Sequence, residues 1–312
     1  MDKQTLHITN GSVLTERLNE LDFDGDFLTW HEMLSEGPTT EQIDTELFIE
    51  IRSNFINQVY GLEIDEKEFK SEIDKLNHSE NYKDIVLWFE FDLFCHINLV
   101  AVISLISQKH INLPIYLVCS GRVKGEKDLK GIAELTTGQL LSHYKNNVLL
   151  TSEDIDMATT IWGIYCGKNH NLLKPFIVKS SSFEYLSNCL KAHLKRFPDS
   201  KSGLSILEEH ILKTIDQNDV KSKHHLLGYI LNYQGYYGYG DLQLKRMINA
   251  LDIFYKEGKN KLKLNKKGNE AISAKKNFSN VLKNVTIFGG IRRNDFQFDK
   301  ELNKLIEINN AH

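Results

Sequence analysis

The sequence predicts an α/β protein: a doubly wound, mainly parallel sheet over residues 1–125, a helical extension over 126–199 and a winged-helix-like module with C-terminal strands over 200–312. Three observations predict it. Short β-type segments alternate with helical periodicity through the first third, and connections of that length favour parallel crossovers. Two segments, DIVLWFEF (84–91) and PIYLVC (114–119), are almost continuously apolar, as strands buried on both faces are. In the last third, three amphipathic segments precede a lysine-bearing hairpin, the element order of a winged helix.

The elements follow in order. Residues 6–9 (LHIT) read as a strand, Asn10-Gly11-Ser12 as a tight turn, and 12–21 as a helix with apolar Val13, Leu14, Leu18 and Leu21. DFLTW (26–30) is a second strand, after which Gly37-Pro38 breaks the chain. Helices at 41–60 and 65–77 lead to the strand 84–91, an apolar helix at 93–109 and the strand 114–119. From 126 the periodicity is helical, at 136–144, 152–166 and 183–196, and PDSKSG (198–203) has the composition of a linker. Ser205 and Glu208 form a capping box ahead of the stripe Leu207, Ile211, Leu212 and Ile215. A short helix spans 222–231, the Tyr/Gly-rich NYQGYYGYG (232–240) turns, and a third helix covers 241–258 with Asp241 as its cap. KLKLNKKG gives a strand turning at Lys266-Lys267-Gly268, and 284–308 gives strands turning at Gly289-Gly290 and Asp299-Lys300.

Composition bounds the classes. At 312 residues, 41% hydrophobic and 26% charged, the chain is of ordinary globular make-up, long enough for two or three units. No run approaches the roughly 20 apolar residues that span a bilayer, and MDKQTLHI has no apolar core behind a basic start, so neither a membrane span nor a secretory leader is expected. Cys95, Cys119, Cys166 and Cys189 form no CxxC and match neither a structural zinc site nor a disulfide framework, which points to reduced thiols in the cytoplasm. From Lys256 to His312 there are thirteen Lys/Arg against six Asp/Glu, a balance of +7 that leaves −11 for the rest of a chain whose total is −4. A basic end on an acidic body suits an anionic partner, a lysine-rich solvated surface being the alternative.

Candidate chemistry gathers where the strands end. In a doubly wound sheet, ligands bind beyond the carboxyl ends of the strands, where helix N-termini offer N–H groups to an anion. The turn Asn10-Gly11-Ser12 is such a place, with Thr9 beside it; a capped helix with positive φ at Gly11 is the alternative. In WFEFDLFCH, Glu90 and Asp92 break an apolar run at its C-terminal end and His96 follows one turn into the next helix. Two carboxylates and an imidazole could serve as general acid and base or hold a divalent metal on Glu90 and Asp92; alternatively Asp92 caps the helix and Glu90 pairs with a basic side chain. Glu32 and Glu36 flank the loop closed by Gly37-Pro38 and could add a carboxylate to that catalytic cluster or only shape the loop, and Arg52 and Arg122 are candidate phosphate partners. His7, inside its strand, reads first as a hydrogen-bonded core histidine and second as a ligand contact. For nucleic acid, the third helix offers Lys245 and Arg246, though its first turn carries Asp241, and the hairpin offers Lys261, Lys263, Lys266 and Lys267; Tyr236, Tyr237 and Tyr239 could stack on bases, a Tyr/Gly turn packed on the neighbouring unit being the alternative.

These segments resemble an uncharacterised bacterial family, a domain of unknown function with an N-terminal HITNGD-type motif. The likeness runs through HITNG at 7–11, Trp30 with Glu36-Gly37-Pro38, LWFEFD at 87–92 against a WFE-x-D motif, FP-x-x-x-x-GLS-x-x-E ending at Glu208, and KLNKKG at 263–268. It implies a shared architecture and supplies no reaction. Ser12 stands where that pattern has Asp, and Cys95-His96 where it has amide or acidic residues. An essential carboxylate at position 12 would therefore be missing here. The expectation is a phosphate-bearing ligand, a nucleotide or nucleic-acid end, bound in the first unit, extending to metal-assisted phosphoester hydrolysis. The alternatives are a DNA-binding regulator acting through its C-terminal module, or an interaction protein; a homo-oligomer is compatible with all three.

Overall fold

In β1 (Gln4–Asn10), Leu6 and Ile8 face one way, His7 and Thr9 the other, and all four are buried, so the sheet must be covered on both faces. A computed structural model, which describes residues 3–282 and 285–308, shows how. Asn284, which heads the expected 284–308 strand segment, and residues 309–312 of the last unit lie outside the described residues.

Helix α1 (Ser12–Glu20) covers the His7 face, its Leu14 and Leu18 clustering with Val86, Trp88 and Val118. After β2 (Asp26–Trp30) and the two-residue β3 (Gly37–Pro38), α2 (Glu46–Tyr60) and α3 (Glu66–Asn77) cross to the other face. There β4 (Tyr82–Phe89) contributes Ile85, Leu87 and Phe89 to the same apolar cluster as α4 (Leu93–Gln108). With β5 (Ile115–Cys119) and β6 (Val148–Leu149) the strand order is β2-β1-β4-β5-β6. All pairs are parallel except β5–β6. Ile8 lies opposite both Leu28 and Leu87, which fixes the register around the central strand. The chain leaves β1 toward β2 and leaves β4 toward β5, so the winding reverses between β1 and β4.

Helix α5 (Thr137–Lys145) closes the His7 face through Leu140, while α6 (Ser152–Cys166) packs on α4 with Trp162 and Tyr165 buried. Helices α7 (Lys174–Val178) and α8 (Leu186–Lys195) follow. The expected linker at 198–203 is a buried turn instead. Asp199 and Ser202 are almost fully covered, the Asp199 N–H donates to Leu204 O at 2.9 Å, and Asp199 bridges to Phe298.

Three helices, α9 (Ile206–Gln217), α10 (Lys223–Asn232) and α11 (Asp241–Ala250), then lead to the hairpin β7 (Tyr255–Glu257) and β8 (Leu262–Leu264). Two expectations need correcting here. The third helix stops at Ala250 rather than 258, and Asp241 lies in its first turn, with Gly240 at the cap position. The hairpin turns at 258–261, where the Gly258 N–H meets Lys261 O at 2.9 Å. Lys266-Lys267-Gly268 is no turn: the Asn265 side chain accepts the Gly268 N–H at 3.1 Å and starts α12 (Lys266–Ile272). The end of the chain forms β9 (Ile287–Gly289), β10 (Ile291–Arg292), β11 (Phe296–Asp299) and β12 (Lys304–Glu307), turning where expected. Strand β9 pairs in parallel with β3, so residues 37–38 and 288–289 share one small sheet. A single apolar cluster runs from Leu6 to Leu305 through all three segments.

Candidate functional site

Two helix N-termini meet at the reversal between β1 and β4, and they are treated differently. Helix α4 is filled by protein. Asp92, at its cap position, accepts the Cys95 N–H at 2.8 Å. The Leu93 and Phe94 N–H groups donate to the carbonyls of Tyr236 and Tyr237, at 2.7 and 3.3 Å. Gly238, at φ +66°, lies so close to the Asp92 carboxylate that an added Cβ would stand 2.2 Å from its Cγ. The Tyr/Gly turn therefore seals this helix end, which accounts for its glycine.

Helix α1 is left open. Gly11 occupies its cap position at φ +103°, no side chain caps it, and a Cβ on Gly11 would meet nothing within 4 Å. Backbone conformation, rather than crowding, calls for glycine here. The first turn carries roughly half a positive charge from the helix dipole, and Ser12 in it is exposed.

Below this open end lies a cavity of about 430 Å³, lined by Asn10, Val13, Leu14, Glu16, Arg17, Glu20, Trp88, Glu90 and Ala133. Its far wall is the 131–135 segment. Arg17 ties that wall to α1 by donating to the carbonyls of Ile132 at 2.8 Å, Ala133 at 3.2 Å and Leu135. Glu90, just past the end of β4, accepts the Ile132 N–H at 2.7 Å. Burial, with the nearby Asp92 charge second, pushes the Glu90 carboxyl up to about 7. Burial thus favours its protonated form, which repels an anion less than an ordinary glutamate would.

The other sequence-predicted residues divide by environment. Asn10 donates to Cys95 Sγ at 3.1 Å and accepts from Asn98 at 2.9 Å, and Asn98 also reaches Glu32 O at 2.7 Å. Thr9 is buried in a hydroxyl chain with Thr15 (2.5 Å) and, through it, Thr29 (2.8 Å). His7 takes the Trp88 N–H on Nδ1 at 3.1 Å and meets Asp24 O through Nε2 at 3.2 Å, which makes it a neutral core ring stacked on Phe27. Arg52 is fully buried, paired to Glu32 at 3.0 Å and bonded to the carbonyls of Met33, Glu36 and Pro38; it braces the 32–38 loop. Glu36 receives Tyr60 and Arg246, with Gln243 at 3.5 Å. His96 bonds Asp92 O through Nδ1 at 3.0 Å, and burial brings its pKa down to about 4. Arg122 lies apart from the cavity, in a groove with Lys124 and His143.

For a metal, the one cluster among the described residues is Glu90, Asp92 and Cys95, whose donor atoms lie within 4.8 Å of one another. A carboxylate–thiolate set suits a borderline ion such as zinc better than magnesium. Each donor already has a protein partner: the Ile132 N–H, the Cys95 N–H and the Asn10 amide. Burial also pushes the Cys95 thiol well up, away from the thiolate a metal needs.

In the C-terminal part, Gln243 and Arg246 of α11 turn inward to Glu36, and Lys245 pairs with Asp241 at 2.6 Å. Lys261 pairs with Asp219 at 3.4 Å, while Lys263 on β8 and Lys266 and Lys267 on α12 are exposed. Tyr237 and Tyr239 are buried against each other, and Tyr236 packs on Phe91.

Sequence reasoning did not single out Arg17, Trp88, Glu16, Glu20 or Ala133. Positions 13, 16, 17 and 20 share one face of α1 by helical spacing, so a signal for Arg17 existed. Nothing in the sequence connects Ala133 to that face. Among the described residues, no helix is long and apolar enough to cross a membrane.

No protein-family model matches the chain, and no curated protein does. Among solved structures, the DNA-binding, cleavage and re-ligation domain of Plasmodium falciparum topoisomerase II is similar over 83% of this chain and 43% of that one, with 13% identity and a TM-score of 0.45. The chain thus spans less than half the length of that structure.

Proposed function

We propose that the α/β half binds a small phosphate-bearing ligand of nucleotide size, its phosphate against the N-terminus of α1 and its body in the cavity below. One observation carries this reading: of the two helix ends at the reversal point, α4 is sealed by Asp92 and the Tyr/Gly turn, and α1 is left without a cap. The cavity's volume of about 430 Å³ falls within the range of small-molecule sites. Binding is favoured over metal-assisted hydrolysis because the donors of the Glu90–Asp92–Cys95 group are engaged within the protein.

The test is Ser12→Asp, which also restores the HITNGD-type pattern. A carboxylate there stabilises the helix end by about 0.5–1 kcal/mol and competes with an anion for the same N–H groups. Calorimetric titration of the full chain with ATP, ADP, AMP and inorganic phosphate should show binding that weakens about tenfold in the variant, while its melting temperature rises. Unchanged or tighter binding in Ser12→Asp would sink the assignment, and tighter binding only with a divalent ion would move it to a metal site.

A second reading has its own observation. Helices α9–α11 with the β7–β8 hairpin, joined by the Leu262 N–H to Val220 O at 2.8 Å, follow the winged-helix order, and Lys263, Lys266 and Lys267 are exposed beside the hairpin. This favours contact with nucleic-acid phosphates over base reading by α11, whose Gln243 and Arg246 are spent on Glu36.

A further inference from the structure

On α8, residues 188, 191, 192 and 195 recur at helical spacing along one face, and with the start of α9 and the Tyr/Gly turn they wall a groove of about 470 Å³. Its floor is apolar, formed by Ala192, Ile206 and Leu207. One wall is aromatic: Tyr233 is 70% exposed, and Tyr236 is half-buried, its ring held edge-on by Phe91. Cationic side chains line the groove as well. Lys191 and Lys195 stand one turn apart, His210 lies nearby, and Asn188 and Gln234 add amide groups. No carboxylate lines the groove, and among the described residues neither lysine has an ion-pair partner. In a chain of net charge −4, a groove without a single acid is selective for anions. An exposed tyrosine over an apolar floor invites a flat ring, because stacking removes apolar area from water on both faces.

We infer that this groove is a second binding site, taking a nucleotide unit with its base against Tyr233 and Tyr236 and its phosphate on Lys191 and Lys195. Aromatic walls beside lysines are how proteins hold bases and backbone without reading sequence. The site shares no residue with the α1 cavity, so it goes beyond the function proposed above and stands or falls separately. The same unit could arrive as a free nucleotide or within a single strand. Affinity that rises with strand length identifies the strand; equal affinity for one unit and ten identifies the free nucleotide.

The experiment titrates the full-length protein with thymidine monophosphate and with a fluorescein-labelled ten-residue oligothymidylate. Tyr233→Ala, at an exposed side chain, should weaken binding by about tenfold, the loss expected for one stacked base. Replacing Lys191 and Lys195 by Gln should reduce the salt dependence of strand binding by about 1.4 in log–log slope, roughly 0.7 for each phosphate contact. A nucleotide also fits the α1 site proposed above, so each titration is repeated in Ser12→Asp, and the binding that survives there is the component that should be lost in Tyr233→Ala. Failure of both probes to bind, or binding indifferent to Tyr233→Ala and to the lysine replacements, overturns the inference. Binding lost in Ser12→Asp but kept in Tyr233→Ala places the probe at α1 and overturns it too.

Discussion

Glu90 shows how a single carboxyl group can carry both the fold and the site. Its oxygen accepts the Ile132 N–H, which holds the far wall of the cavity, and its burial raises its pKa to about 7. Between the ordinary glutamate value and about 7, the folded chain binds more protons at this position than the unfolded chain, so stability falls as pH rises through that window. Glu90→Gln keeps an acceptor for Ile132 and removes the charge. Urea unfolding should therefore show the variant gaining on the parent from pH 5 to pH 8, and a constant difference across that range would rule out the buried charge as the cause. Phosphate affinity should decline above about pH 7 in the parent and stay flatter in Glu90→Gln, because a bound anion favours protonated Glu90.

Among the elements, the Tyr/Gly turn at 232–240 has the clearest structural task. Gly238→Ala puts a Cβ into the Asp92 carboxylate at a left-handed backbone position, which should cost about 1–3 kcal/mol in urea unfolding. Gly228→Ala, at an exposed position of α10 with nothing near its Cβ, should instead stabilise by about 0.5–1 kcal/mol. Equal effects at both positions would mean that the seal over α4 carries no energy of its own. The parallel strands of the main sheet and most helices were legible because apolar patterning and caps are local signals, DFLTW being β2 and 152–166 α6, residue for residue, whereas the two-residue strands β3 and β6 carry too short a pattern to read. The sequence reading lost the end of α11 and the start of α12, where Asn265 is a cap hidden in a lysine-rich stretch. That error bears on function, since Lys266 and Lys267 sit on a helix beside the hairpin rather than at its tip. If these residues and Lys263 touch phosphates, replacing all three by Gln in the full chain should lower the salt slope of duplex-DNA binding by up to about 2.7, close to 0.9 per contact. Salt-independent or absent binding removes that reading.

At the scale of the whole molecule, three units expected from composition share one apolar cluster, and β3 pairs with β9 across some 250 residues of sequence. The linker-like 198–203 turn misleads because Asp, Ser and Gly mark tight buried turns as readily as mobile ones. The joint at Glu36, where Tyr60, Gln243 and Arg246 converge, had no local signature, since its partners lie in different thirds of the chain. Thermal unfolding of the full chain should accordingly give one transition, and residues 1–199 expressed alone should lack a cooperative one. Two separate transitions, or a stably folded fragment, would instead show units that fold separately.

The carbonyls of Tyr236 and Tyr237 that close the end of α4 also set a clock for biosynthesis. Leu93 leaves the ribosome more than 140 residues before its partner Tyr236, a delay on the order of ten seconds at about 5–20 residues per second. During that interval the Leu93 and Phe94 N–H groups lack their carbonyl partners, while Asp92, local to the helix, is already in place to accept the Cys95 N–H.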